Sequence, residues 1–232
     1  MVADGRADVV ITGGTEAPLT PTAIAGFSNM TALSNSGISR PFDIDRDGFA
    51  ISEGCGILVL EEWQMAVERG ATIYAELMGS ASTADAHHIT APAPDGSGAV
   101  NCMQLAMEDA GITPDQVGHI NAHGTSTDKN DAAEAAAIAK VFGTASRPLV
   151  TSTKGVTGHA LGAAGALEAV AVILAMQNRQ VPPTAGLENV DPELPALNFV
   201  KGRAADWEPS PSLSNSFGFG GHNGTIVIGP GA

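Results

Sequence analysis

The chain has 232 residues, 44% of them hydrophobic, and carries 11 basic against 25 acidic side chains for a formal charge of −14. That apolar content can bury a sizeable core, as one large domain or two small ones, and the acidic balance argues against nucleic acid as a partner. No apolar segment follows a basic start, and the longest apolar run, residues 160–176, is rich in Ala and Gly and holds Glu168. Neither a signal peptide nor a membrane span is therefore expected, and the default setting is cytoplasmic.

In chain order, residues 7–12 read as a short buried strand stopped by Gly13-Gly14, and residues 21–34 as a helix ended by Asn35-Ser36-Gly37. Asp43, Asp45, Asp47 and Gly48 match the first half of a calcium loop, but Gly54 stands where its bidentate Glu belongs. A rigid turn tied by Arg46 is expected instead. Cys55 sits in a Gly-Cys-Gly elbow before Ile57-Leu-Val-Leu60, a run that reads as a buried strand. Cys55 and Cys102 are too few for a disulfide framework and suit a reducing compartment, and both read as small hydrophobes rather than nucleophiles.

Residues 61–69 read as a helix ending at Gly70, and residues 73–79 as a strand that opens a second half of the fold. The loop Asp85-Ala-His-His-Ile-Thr90 follows; its His87-His88 pair lacks a further ligand at helical spacing, so no metal is expected. Residues 95–111 lead through a helix containing Cys102, and Thr113-Pro114 looks like the start of another. The helix after Asp128 runs to Phe142, with Asp131 and Glu134 on one face of its first turn, where the helix dipole alone would favour carboxylates. Residues 148–152 form a strand, and residues 158–176 an Ala/Gly-rich helix that begins at His159. Residues 213–217 and 225–228 make a final strand pair joined through Gly218-Phe-Gly-Gly221. Strand and helix alternate, which argues for an α/β fold.

The chemistry concentrates in residues 121–159. They open with Asn121-Ala-His-Gly-Thr-Ser-Thr-Asp-Lys-Asn-Asp131 and close with Thr151-Ser-Thr-Lys-Gly-Val-Thr-Gly-His159. Each group follows a short apolar run, and loops after strands are where α/β proteins keep their chemistry. Gly, Ser and Thr let a thioester approach the backbone, and an imidazole N–H can donate to a developing oxyanion. Two such donors on one carbonyl would stabilise an enolate. A dinucleotide loop at Gly158, Gly162 and Gly165 fails the required spacing.

These motifs, with Asn215-Ser-Phe-Gly-Phe-Gly-Gly-His-Asn223, Asp8-Val-Val-Ile-Thr-Gly-Gly-Thr-Glu16 and Phe42-Asp-Ile-Asp-Arg-Asp-Gly-Phe49, resemble the β-ketoacyl-[acyl-carrier-protein] synthases, elongating condensing enzymes of the synthase I/II type. The resemblance covers essentially the whole chain but matches the C-terminal part of the family; the nucleophilic Cys of its members lies in a segment upstream. It implies a thiolase-like layered α/β fold, with residues 1–72 as the tail of the N-terminal half and residues 73–232 as a complete C-terminal half. Surfaces that the family's remaining strands would cover are expected to be exposed.

The resemblance also implies roles. His123 and His159 would stabilise the enolate formed when malonyl-[acyl-carrier-protein] loses carbon dioxide, and that enolate would attack an acyl thioester in fatty acid or polyketide elongation. Lys154 would order the site through Glu134. Thr125 and Thr127 would offer hydroxyls to the pantetheine amides, and Thr90 would lie near the phosphopantetheine arm, with His88 in the same loop. The backbone N–H of Phe219 would form half of an oxyanion hole and its ring a gate, flanked by Phe217 and Gly218, with Gly218 and Gly220 letting the loop move. Beyond phosphopantetheine-borne substrates no cofactor is implied. The partners implied are acyl carrier protein and, for the complete enzyme, a second copy. The acidic charge places the basic docking patch outside this chain rather than on Arg40, Arg46, Lys129 and Arg203. His222 stands where many relatives have Thr. A thiolase would carry a second Cys near its C-terminus, and none follows Cys102. The rival reading is an inactive truncated or partner-completing subunit of a condensing enzyme.

Overall fold

The computed structural model of the chain describes residues 1–144 and 148–231. Its first elements are β1 (Val9–Glu16), α1 (Pro21–Asn29), β2 (Gly54–Glu61) and α2 (Trp63–Glu68). Next come β3 (Ala75–Ala84), α3 (Ser97–Asp109), β4 (His119–Asn121), α4 (Asp128–Phe142), β5 (Leu149–Thr151) and α5 (Lys154–Thr157). The last are α6 (Ala164–Asn178), β6 (Gln180–Val181), β7 (Asn198–Phe199), β8 (Ala205–Asp206), β9 (Ser212–Gly218) and β10 (His222–Pro230).

The main sheet has the order β3-β10-β9-β4-β5-β7, antiparallel at the β3 end and parallel from β9 to β7. One face meets α3 and α4, where Met103, Ala106, Ala135 and Ile138 pack on Ile120, Val150, Leu213 and Val227. The other face meets α6, with Ala169, Val172 and Met176 beside Val181, Val200, Trp207 and Ile228. A second, two-stranded ribbon of β1 and β2 covers the far side of α6. Small residues permit that approach: a β-carbon at Gly14 would lie 2.5 Å from Gly162 O, and one at Gly56 would lie 2.8 Å from Ala166 C. Leu161–Asn178 is long and apolar enough to cross a membrane, but its buried Glu168 and its packing between ribbon and sheet mark it as a core helix.

Several sequence expectations change. The ribbon alternates rather than being buried throughout: Cys55, Ile57 and Val59 on β2 and Val9 and Ile11 on β1 face outward, with Ile11 74% exposed. An antiparallel pair packed on one side buries every second residue, and these apolar side chains lie on the side away from α6. The helix expected from residue 158 starts only at Ala164. His159 N–H donates to Ala50 O at 2.8 Å and His159 O accepts from Ser52 N–H, so its backbone is spent on a bridge to residues 50–52. At Thr113-Pro114 a capping box closes a single 3₁₀ turn, Pro114–Gln116, and no longer helix follows. Helix α1 stops at Asn29, short of residue 34. The acidic turn behaves as expected: Asp43 accepts from the backbone N–H of Asp45, Glu188 and Asn189, and Arg46 bonds Asp43 O and Asp191. No metal-binding cluster occurs among the described residues.

Candidate active site

The site forms at the ends of β4 and β5, whose parallel pairing sets the loops after Asn121 and Thr151 side by side. Gly124 has a φ of +40°, and a β-carbon there would lie 2.6 Å from Ser152 Cβ, so the chain can turn this close to its neighbour only without a side chain. Ser152 Oγ then donates to Gly124 O at 2.9 Å. His123 and His159 emerge with ring centroids 5.3 Å apart and planes at 82°.

Lys154 is fully buried and donates to His123 O at 2.6 Å, to His123 Nδ1 at 3.3 Å and to Glu168 Oε1. An ammonium group has only protons to offer, so Nδ1 of His123 accepts and the ring proton sits on Nε2. His159 reaches the same tautomer another way: Leu161 N–H donates to its Nδ1 at 3.2 Å. Both imidazoles therefore present an Nε2–H donor. Both are also neutral. Burial lowers the pKa of His123 well below the ordinary value, helped by the charge of Lys154, and burial with Lys154 brings His159 to about 3.

The carboxylate partner of Lys154 is Glu168 on α6, which corrects the expected link to Glu134. Glu134 instead holds the loop from beneath: its carboxylate accepts from the N–H of His123 and Gly124, both at 2.8 Å, and from Asn215 Nδ2 at 3.2 Å. Asn215 is held in turn by Thr225 Oγ1 at 2.9 Å. Asp131, three residues before Glu134 and likewise buried, accepts from Phe42 N–H and Ser126 N–H, and burial raises its pKa to about 6. Burial also raises those of Glu134 and Glu168. Glu168, Asn215 and Thr225 were not singled out from sequence. For Glu168 one signal existed: it is the lone charge in a long apolar run, fourteen residues after Lys154.

The remaining candidates sit around this centre. Thr125 and Thr127 share a hydrogen bond of 2.9 Å, and Thr127 caps α4 by accepting from Asn130 N–H. Phe217 on β9 places its ring 6.1 Å from that of His123. Phe219 follows in a turn and is half exposed. Gly220 and Gly221 take φ near +80° there, a conformation that favours glycine, whereas Gly218 is extended. Thr90 lies in an exposed loop shaped by His88 Nδ1, which accepts from the N–H of Thr90 and Ala91. That loop is tied to the Phe219 turn by Gly220 N–H to Ile89 O and Asp85 N–H to Gly221 O. His222 is exposed beside Gly220.

The loops that follow two parallel strands thus bring two neutral imidazole donors together inside a layered α/β fold. Comparison with known proteins carries this further. Residues 1–66 match the family described as β-ketoacyl synthase, N-terminal domain, and residues 74–188 match its C-terminal domain. The chain belongs to the β-ketoacyl synthase family. It is 50% identical over 234 residues to a 3-oxoacyl-[acyl-carrier-protein] synthase 2 of Synechocystis, and 51% identical over 233 residues to one of Staphylococcus aureus. Each alignment takes in 98% of this chain and 56% of the relative, so the chain spans about half the length of the curated relatives it matches. A β-ketoacyl synthase structure from Burkholderia phymatum superposes with a TM-score of 0.93 at 40% identity, over 99% of this chain and 56% of that one. A complex of a type II PKS acyl-carrier protein with its ketosynthase gives the same score and identity, over 99% and 58%.

Proposed function

We propose that this chain supplies the His123, His159 and Lys154 part of a site for decarboxylative condensation of an acyl thioester with malonyl-[acyl-carrier-protein], in fatty acid or polyketide elongation. The observation that carries the reading is the pair of neutral imidazoles, each with Nδ1 occupied as an acceptor and Nε2–H left to donate. Donors aimed at one thioester carbonyl stabilise the enolate that remains when carbon dioxide leaves. Lys154 fixes the His123 ring, Glu168 balances its charge, and Glu134 holds the loop backbone. Phe219 and its glycines act as the gate to the acyl pocket, and Thr90, Thr125 and Thr127 line the approach of the phosphopantetheine arm. No other cofactor is used.

The nucleophilic cysteine comes from elsewhere in the working enzyme. Residues 1–72 act as the tail of one thiolase-like half and residues 73–232 as the other. The exposed apolar face of the ribbon, with Ile11, Ile57 and Val59, supports packing against the rest of such an enzyme, which works as a dimer with acyl carrier protein as its partner. Unpaired Cys55 and Cys102 accord with a cytoplasmic setting. The test is a chimera that joins this chain to the upstream portion of the Synechocystis relative. Condensation that His123→Ala or His159→Ala abolishes is the expected result; an active chimera indifferent to both substitutions overturns the reading. Exposure of the chain alone to an acyl thioester should leave Cys55 and Cys102 unacylated by peptide mass spectrometry.

A further inference from the structure

A polar seam runs through the apolar layer between α6 and the six-stranded sheet. His119 and Asn121 are two apart on β4 and share the face opposite Ile120. Ile120 packs toward α3 and α4, whereas Leu149, the β5 neighbour of His119, packs with the Val172 cluster of α6. His119 and Asn121 therefore point into the α6 side. Both are buried, and none of their side-chain nitrogen or oxygen atoms has a hydrogen-bond partner among the described residues. The same is true of Trp207 Nε1 and of Glu168 Oε2.

The His119 ring meets the Trp207 indole edge-on, with centroids 5.7 Å apart. A β-carbon on Gly118 would lie 2.8 Å from Trp207 Nε1 and 2.0 Å from Ser210 Oγ, so the bare glycine leaves indole and hydroxyl bordering one small space. Trp207 also walls a polar surface cleft with Arg179, Asp206 and Glu208. Buried polar groups in folded proteins nearly always find a partner, and where the protein does not provide one, ordered water does.

We infer that this seam is a water-binding site, with one water bridging the His119 imidazole to the Trp207 indole N–H and another on the Asn121 amide. Nothing in this depends on the condensation reading.

The experiment is a water-selective NOE measurement on the indole N–H of Trp207 in the intact chain, with the signal assigned by its disappearance in Trp207→Phe. The expected result is a cross-peak to water with the sign of a long-lived molecule, lost in His119→Phe while the Trp63 indole signal is unchanged. Absence of that cross-peak in the unsubstituted chain, or a crystal structure with imidazole and indole in direct N–H-to-ring contact and no solvent density between them, overturns the inference. Should His119→Phe fail to fold, the spectrum and density of the unsubstituted chain decide alone.

Discussion

Replacing Lys154 by Met removes the ammonium group that faces Glu168 inside the protein and takes a charged donor from His123 O. Breaking a buried ion pair by deleting one partner costs about 3–5 kcal/mol, because the other charge is left without compensation. At about 2–4 °C per kcal/mol for a chain of this size, the melting temperature should fall by roughly 6–20 °C. Glu168 can escape part of the penalty by keeping a proton, since burial already raises its pKa and Lys154 is what opposes that rise. A folded carboxyl group that holds a proton the unfolded chain has released loses stability as pH climbs, by about 1.4 kcal/mol per pH unit above an unfolded value near ~4.3. The deficit of Lys154→Met should thus shrink on going from roughly pH 8 to roughly pH 6, the range documented for buried carboxyls being this high. The double variant Lys154→Met/Glu168→Leu removes both charges and should be more stable than the single one by about 3 kcal/mol. Urea denaturation followed by circular dichroism at several pH values measures all three quantities. A single-variant cost under about 1 kcal/mol, or a double variant no better than the single, would refute the argument that this pair is held by mutual compensation.

Glu134→Ala orphans the buried N–H groups of His123 and Gly124 at about 1–3 kcal/mol each, so a loss of roughly 2–6 kcal/mol in urea is expected, and a surface-like loss of a few tenths would contradict the bonding described. His119 has a folded pKa of about 3 through burial, below its unfolded value of about 6.5. Its neutral form therefore supports folding above that value and the support drains as pH falls toward 3, by about 1.4 kcal/mol per unit. The stability advantage of the parent chain over His119→Phe should narrow along that slope, and parallel pH curves for the two would exclude it. Gly14→Ala forces a methyl against Gly162 O between ribbon and α6, and a thermal melt should report a loss of about 1–3 kcal/mol. Exposed Cys55 should react with an alkylating agent in the native chain, while buried Cys102 reacts only after unfolding; equal rates in native buffer would contradict the burial assigned to Cys102.

Local chemistry made much of this protein readable from sequence alone. The α/β alternation, the final strand pair, the helix from Asp128 to Phe142 and the two histidine motifs follow from short-range patterns, because hydrophobic periodicity and Gly or Thr punctuation act over a few residues. The motif order of His123, Lys154, His159 and the Gly-Phe-Gly-Gly loop sufficed to point to the β-ketoacyl synthases. Partnerships across the fold were another matter. Which carboxylate meets Lys154 depends on where α6 lies, and Glu168 and Glu134 differ in sequence only by their neighbours. The outward faces of Val9, Ile11, Ile57 and Val59 were hidden because an apolar run reads the same whether one side or both are covered, and only the position of α6 against the ribbon decides it. His159 reads as a helix start because the Ala-rich run that follows it favours helix locally; the bridge to residues 50–52, more than a hundred residues away in sequence, claims its backbone first. Short-range patterns thus marked most of the long elements and the two histidine motifs, while the start of α6, the pairing of buried charges, the exposure of strands and the tautomers of both imidazoles were decided by contacts that exist only once α6, the sheet and the ribbon are stacked.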